Sequence, residues 1–299
     1  MLLAGSFLRL RVMVKSYLAR TFCLCFILLL AISEWVLAKP DQTPERRGAL
    51  ELRPHVIAHR GGRKWAPENT LAAFRKSIAA GVSGIELDIH RCKSGELVVI
   101  HDDDLSRTTN GSGAIKDRTY SEISKLSAGS WFAPEFSQER VPLLRSVLEL
   151  IDGRAVLNIE IKNAPTAYPG IEDNLLGLLD GYKHKEKILI SSFDHEVLRR
   201  IHRKAPQYRL AFLVDGLLVD IGNYAKSIGA SAWNPCLASV RGDSVAAAHA
   251  AGLEVNVWTV NDKKAWDSAI AMGVDGIVTD DPEGLLAYCY SLKPCGKVP

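Results

Sequence analysis

Between His55 and Thr279 the chain alternates nine short apolar runs with longer stretches of helical periodicity, and few folds accept that pattern. The runs are Val56–His59, Gly84–His90, Leu97–His101, Ala155–Ile161, Ile188–Ser192, Leu210–Val214, Ser231–Asn234, Val255–Val260 and Gly276–Thr279, all rich in Val, Ile and Leu. Helical segments begin at Asn69/Thr70, with Leu71, Phe74 and Ile78 on one face, at Leu143–Ile151, and at Asp194 before Val197, Leu198 and Ile201. Asp243 and Asn261 are expected to cap two more. The alternation predicts a parallel α/β sheet, either doubly wound or closed. A dinucleotide-binding sheet would carry G-x-G-x-x-G after its first strand. Here that strand runs into His59-Arg60-Gly61-Gly62, so a TIM (β/α)8 barrel is the better reading.

Nine strands exceed a barrel's eight places. Runs 97–101 and 231–234 are the weakest, and only Lys93-Ser94-Gly95-Glu96 separates 97–101 from the run before it. No helix fits there, so a hairpin is expected, with His101 roughly opposite Asp88. Residues 102–142 hold no clear strand and include Asn110-Gly111 and Ser112-Gly113. A connection this long is expected to form a small cap after the third strand, near the site.

Residues 1–38 read as a secretory signal: Arg9, Arg11, Lys15 and Arg20, then the uncharged apolar run Phe22–Ile32, then small residues, with cleavage expected after Ala38. The alternative is an uncleaved membrane anchor, which would have to bury Glu34 to reach the ~20 apolar residues of a span. The mature protein would be periplasmic or secreted, touching a membrane only through an uncleaved leader. Residues 39–54 are expected to form a polar, Pro-containing tail, and 55–299 the barrel domain. The leader carries four basic residues and one acidic residue, which accounts for the whole formal charge of +3. The rest is neutral, which argues against nucleic acid and for a small-molecule partner. Of the cysteines beyond the leader, Cys92, Cys236, Cys289 and Cys295, the last two are close enough in sequence for a terminal disulfide. Buried free thiols are the alternative, and no zinc spacing is present.

Reactive groups in such a barrel gather at the C-terminal ends of the strands. There the first strand offers His59-Arg60. The second offers Glu86 and Asp88, two apart and so on one face. The hairpin ends in His101-Asp102, and the fourth run holds Glu160 followed by Lys162. Three carboxylates converging at one mouth repel one another unless a cation joins them, and an all-oxygen donor set suits Mg2+ or Ca2+. Two histidines supply a general acid and a general base, and Arg60 and Lys162 an anion clamp. The bland alternative is a structural ion network indifferent to chelators. Taken singly, Thr70 is a helix cap, Arg107 a loop anchor, Asp280 a cap for the helix after Pro282, and Phe193 and Trp258 as readily core as pocket.

Several motifs in order, His59-Arg60-Gly61, Pro67-Glu68-Asn69-Thr70, Glu86-x-Asp88, Val98-Val99-Ile100-His101-Asp102, Arg107-Thr108-Thr109, Asn158-Ile159-Glu160-Ile161-Lys162, Ser191-Ser192-Phe193, Val257-Trp258-Thr259-Val260-Asn261 and Asp275–Asp280, resemble the glycerophosphodiester phosphodiesterase family in its compact bacterial form, over about residues 55–285. The resemblance implies a PLC-like TIM barrel that hydrolyses glycerophosphodiesters to glycerol 3-phosphate and an alcohol. It implies His59 and His101 as acid and base, and one divalent cation, Mg2+ or Ca2+, on Glu86, Asp88 and Glu160. Arg60 would contact the phosphate, and Lys162 and Trp258 would line the substrate pocket. The expected route is attack by the substrate's own glycerol hydroxyl, giving a cyclic phosphate that water opens. Rival readings are a lysophospholipase D or sphingomyelinase D type activity, which would need an apolar groove at the mouth, and a non-catalytic phosphodiester-binding protein.

Overall fold

A computed structural model describes residues 54–292, so the leader, most of the polar tail and Cys295 lie outside the described residues. Eight parallel strands close into a barrel. They are β1 (His55–Ala58), β2 (Gly84–Arg91), β4 (Val156–Ile161), β5 (Ile188–Ser192), β6 (Arg209–Val214), β7 (Ala232–Pro235), β8 (Glu254–Val257) and β9 (Gly276–Thr279). They are joined in that order, and β1 pairs with both β9 and β2 to close the ring. The surplus run is the hairpin strand β3 (Leu97–Val99), which pairs antiparallel with β2; the run at 231–234 belongs to the barrel as β7. Strand length explains the hairpin's place. β1 covers only Gly84 and Ile85 of β2, which leaves the protruding end Ile89–Arg91 open to β3. The amide of Ile100 donates to the Asp88 carbonyl (3.1 Å), so Ile100 sits opposite Asp88 and His101 lies one residue beyond.

Strand alternation divides apolar from polar. Ile85, Leu87 and Ile89 join the main core beneath the helices, together with Ile159, Phe212 and Trp233. Glu86 and Asp88 point the other way, and register sets Glu86 beside Asn158, Asp88 beside Glu160, and Glu160 beside Ser191. A smaller apolar cluster of Leu189, Ala211 and Ala232, with Val156, packs along the same face. The helix Leu144–Ile151 shows how the outer layer is specified: Leu144, Val147, Leu148 and Ile151 are buried, the spacing of one helical stripe.

The caps follow side-chain reach. Thr70 and Asp194 cap their helices as expected, Thr70 Oγ1 accepting from Ala73 N and Asp194 from Glu196 and Val197. Three expectations are corrected. Asp262, not Asn261, caps Lys263–Ala271, and Asn261 binds Asp280 instead. At Gly242–Ala250 the Ser244 hydroxyl accepts from Arg241 N (3.0 Å), while Asp243 pairs sideways with Arg241. Asp281 caps Pro282–Ser291, so Asp280 is left for another task.

Residues 102–142 form a compact cap of short helical turns, including Tyr120–Ile123. It has its own core, in which Leu105, Ile115, Ile123, Ala128 and Val141 pack on Cys92, Val98 and Ile100 of the hairpin. Its end returns along the hairpin, where Val99 N donates to the Pro142 carbonyl. Cys92 and Cys236 form no disulfide, and Cys92 Sγ instead contacts Glu96 Oε2 (3.2 Å). The expected staple to Cys295 falls outside the described residues. Among those residues no helix is long and apolar enough to cross a membrane.

Candidate active site

Every site residue expected from the sequence reaches the C-terminal mouth of the barrel. Glu86, Asp88 and Glu160 are buried there, and one oxygen from each lies within 4.8 Å of the others. His59, Arg60, Glu86, His101, Glu160, Lys162 and Trp258 line one open pocket, together with Asn158, Phe193, Leu213, Asn234, Thr259 and Val278. Asp88 lies just behind the lining, against Arg60 and Asn69.

The backbone of the first turn is bent to serve this cluster. Arg60 takes a left-handed conformation (φ 50°), unusual for a long side chain, and its amide donates to Glu86 Oε2 at 2.8 Å. Its guanidinium donates to Glu68 Oε1 (2.7 Å) and lies 3.5 Å from Asp88 Oδ2. Asn69, also left-handed, donates from Nδ2 to Asp88 Oδ2 at 2.8 Å. Lys162 donates to Glu160 Oε1 at 2.8 Å.

The three carboxylates titrate apart because their neighbours differ. Burial, then repulsion from Asp88 and Glu160, pushes Glu86 well up. Burial and Asp88 push Glu160 up to about 7. Burial opposes ionisation of Asp88 as well, but Arg60 and Lys162 outweigh it and hold that carboxyl well below the usual range. The site therefore carries one firm negative charge and two carboxyls that resist ionising. Asp88 Oδ1 is buried with no hydrogen-bond partner. A buried carboxylate oxygen that accepts no hydrogen bond, with Lys162 Nζ at 3.8 Å, beside two reluctant carboxyls is a donor set a hard divalent cation relieves, so the residues present fit such an ion.

Each histidine is oriented by a carboxylate. His59 Nδ1 meets Asp280 Oδ1 at 2.6 Å, and His101 Nδ1 meets Asp102 Oδ1 at 2.6 Å. Because a carboxylate only accepts, both rings carry hydrogen on Nδ1 and turn Nε2 elsewhere; Nε2 of His101 lies 3.2 Å from Lys162 Nζ. Burial lowers the pKa of both rings, against opposing contributions from Asp280 at His59 and Asp88 at His101. Asp280 is held in turn by Asn261, and Asp102 by two hydrogen bonds from Arg107 (2.6 and 3.0 Å). Arg107 also forks onto Glu68, which collects Arg60, Arg63 and Arg107; burial resists that charge, but the guanidinium hydrogen bonds bring its pKa down to about 2. Trp258 Nε1 donates to the Asn234 carbonyl (2.7 Å), and its ring meets Phe193 edge to face at 5.7 Å, which settles both aromatics in the pocket wall.

Sequence reasoning did not single out Asp280 and Asp102 as partners of the histidines, nor Glu68 as the hub of three arginines. The available signal was an aspartate directly after each of two apolar runs, Leu97–His101 and Gly276–Thr279. Pairing it with a histidine 221 positions away needs the closed ring.

The sequence model of the glycerophosphoryl diester phosphodiesterase family matches residues 59–284, most of the chain and all of the site. The chain belongs to this family. Among its relatives, a glycerophosphodiester phosphodiesterase of Caldanaerobacter subterraneus subsp. tengcongensis is 43% identical over 236 residues, covering 79% of this chain and 97% of the relative. One from Bacillus altitudinis is 38% identical over 242 residues, covering 80% and 99%. Among solved family structures, an Oleispira antarctica phosphodiesterase in complex with the product sn-glycerol-3-phosphate superposes with a TM-score of 0.75 at 28% identity, over 82% of this chain and all of the other. A glycerophosphodiester phosphodiesterase of Agrobacterium tumefaciens is 32% identical with a TM-score of 0.68, over 78% and 99%. The glycerophosphoryl diester phosphodiesterase match and the closed parallel barrel thus agree on fold and family.

Proposed function

We propose that this protein hydrolyses glycerophosphodiesters to glycerol 3-phosphate and an alcohol, with His59 and His101 as proton carriers and a divalent cation, Mg2+ or Ca2+, on Glu86, Asp88 and Glu160. The observation that carries the reading is the convergence at one barrel mouth of three carboxylates, two carboxylate-oriented imidazoles and two cations, Arg60 and Lys162. Family membership and the product-bound Oleispira relative support it.

The diester enters with its phosphate toward Arg60 and Lys162. Asp280 and Asp102 keep each Nδ1 protonated and leave Nε2 to exchange protons with substrate. One imidazole takes the proton of the substrate's glycerol hydroxyl as that oxygen attacks phosphorus. The other protonates the departing alcohol oxygen. The two then exchange roles as water opens the cyclic phosphate. A bound cation would supply charge neutralisation at the phosphate and a more acidic hydroxyl. Phe193, Leu213, Trp258 and Val278 form the apolar side of the pocket, against the carbon atoms of the substrate.

Release of glycerol 3-phosphate from glycerophosphocholine, with and without chelator, tests the proposal. We expect turnover that chelator abolishes, and a fall of about 10²–10⁴-fold in His59→Ala and His101→Ala. Undiminished turnover in both variants, or tight binding without turnover in saturating cation, would overturn it. Phe193, 43% exposed at the lip, keeps an acyl-bearing substrate as a second reading. Faster release of choline from lysophosphatidylcholine than from glycerophosphocholine would favour that lysophospholipase D activity.

A further inference from the structure

His90 lies at the protruding end of β2, on the same face as Glu86 and Asp88, yet does not line the substrate pocket. It is 2% exposed, and both ring nitrogens are engaged. Nε2 is 2.9 Å from the carbonyl oxygen of His101, and Nδ1 is 2.9 Å from the Tyr168 hydroxyl. A carbonyl only accepts, so Nε2 carries the hydrogen, and Nδ1 accepts from Tyr168. The His90 and Tyr168 rings meet edge to face at 5.4 Å.

This contact falls where the hairpin stops supporting its own backbone. The ladder between β2 and β3 ends with Ile100 N on the Asp88 carbonyl. The carbonyl of the following residue, His101, is met by the His90 ring. Tyr168 belongs to the segment that follows Lys162, and that segment is tied down at three further points. Tyr168 N donates to Asn163 Oδ1, Asn163 Nδ2 to Asp194 Oδ2, and Thr166 Oγ1 to Asp103 Oδ2, each at 2.6 Å. His90 is therefore wedged between the loop that carries His101 and the segment that carries Lys162, two side chains that touch each other across the pocket at 3.2 Å.

We propose that His90 is a positioning residue: through the His101 carbonyl and Tyr168 it sets where the His101 imidazole stands relative to Lys162. This rests on the reading of His101 as a proton carrier. A ring that only filled space there would be replaceable by any side chain of similar volume. One that holds a carbonyl requires a donor at the place of Nε2. Glutamine sets its amide nitrogen close to that place. Asparagine, one methylene shorter, reaches only the place of Nδ1 and leaves the carbonyl unmet.

The experiment is steady-state kinetics on glycerophosphocholine in saturating Mg2+ or Ca2+ for His90→Gln, His90→Asn, Tyr168→Phe and His101→Ala, with thermal unfolding of each. A proton carrier displaced by about 1 Å loses on the order of 10²-fold in rate, and a loss confined to the chemical step lowers kcat and leaves KM in place. We expect kcat to fall about 10–10²-fold in His90→Asn with KM within about threefold of the wild type, and about 3–10-fold in Tyr168→Phe. We expect His90→Gln to recover most of the loss at an unfolding temperature no higher than that of His90→Asn. Equal kcat for the Gln and Asn variants, or a rise in KM at constant kcat, would overturn the role. If His101→Ala retains wild-type turnover, the underlying reading of His101 fails instead, and the two failures are told apart.

Discussion

Both site histidines meet the substrate pocket with Nδ1 already committed to an aspartate, and the consequence is testable one atom at a time. Asp280→Asn keeps the shape beside His59 but can offer its amide hydrogens to the ring, which favours the tautomer with hydrogen on Nε2. We expect kcat to fall by about 10–10²-fold with little change in KM, because carboxylates that orient an imidazole act on the reacting state; steady-state kinetics on glycerophosphocholine check this, and an unchanged kcat would remove Asp280 from the site. At this scale much was legible in the sequence. His59, His101, Glu86, Asp88, Glu160, Arg60 and Lys162 each stood out as polar residues at the end of an apolar run. Their orienting partners did not, because Asp280 reads equally as a helix cap until the structure gives that task to Asp281 and ties Asp280 to Asn261. His90 was legible only as the last residue of a strand.

At the scale of elements, the cap and the hairpin act together. Their shared cluster includes Ile100, the residue before His101, and Arg107 reaches back from the cap to Asp102 and Glu68. Ile115 is fully buried in that cluster. We expect Ile115→Ala to destabilise the protein by about 2–4 kcal/mol in urea unfolding, through the cavity it leaves. A loss under about 1 kcal/mol would show that the cap packs loosely and does not brace His101. All nine strands were legible, and the four-residue turn before 97–101 already marked that run as a hairpin; the place of 231–234 in the ring needed the pairing of β7 with β6 and β8. The internal structure of the cap was not legible, since its turns of three or four residues are shorter than any periodicity can reveal. The displaced caps at Asn261 and Asp243 share a cause: neighbouring polar residues compete for one role, and geometry decides between them.

For the whole molecule, the closed ring brings β2 and β4 side by side and gathers three buried carboxyls at one end of the barrel. Carboxyls raised on folding bind protons more tightly folded than unfolded. Their contribution to stability is therefore full below the unfolded pKa, 4.5 for Glu160, and is lost as pH rises to about 7. Asp88, held low by Arg60 and Lys162, is ionised throughout that window and does not mask the loss. A cation at the triad would remove the repulsion and stabilise by about 2.7 kcal/mol at a hundredfold excess over its Kd, which for a domain of this size raises Tm on the order of 5–10 °C. The most direct measurement is the unfolding temperature of chelated and Mg2+- or Ca2+-loaded protein, wild type and Glu160→Gln, between pH 4.5 and 8. The chelated wild type should lose stability as pH rises toward 7, the cation should restore it, and Glu160→Gln should show a weaker pH dependence and little response to the ion. A wild-type Tm that ignores both cations at pH 8, or a Glu160→Gln response as large as that of the wild type, would contradict a metal centre on these three carboxylates.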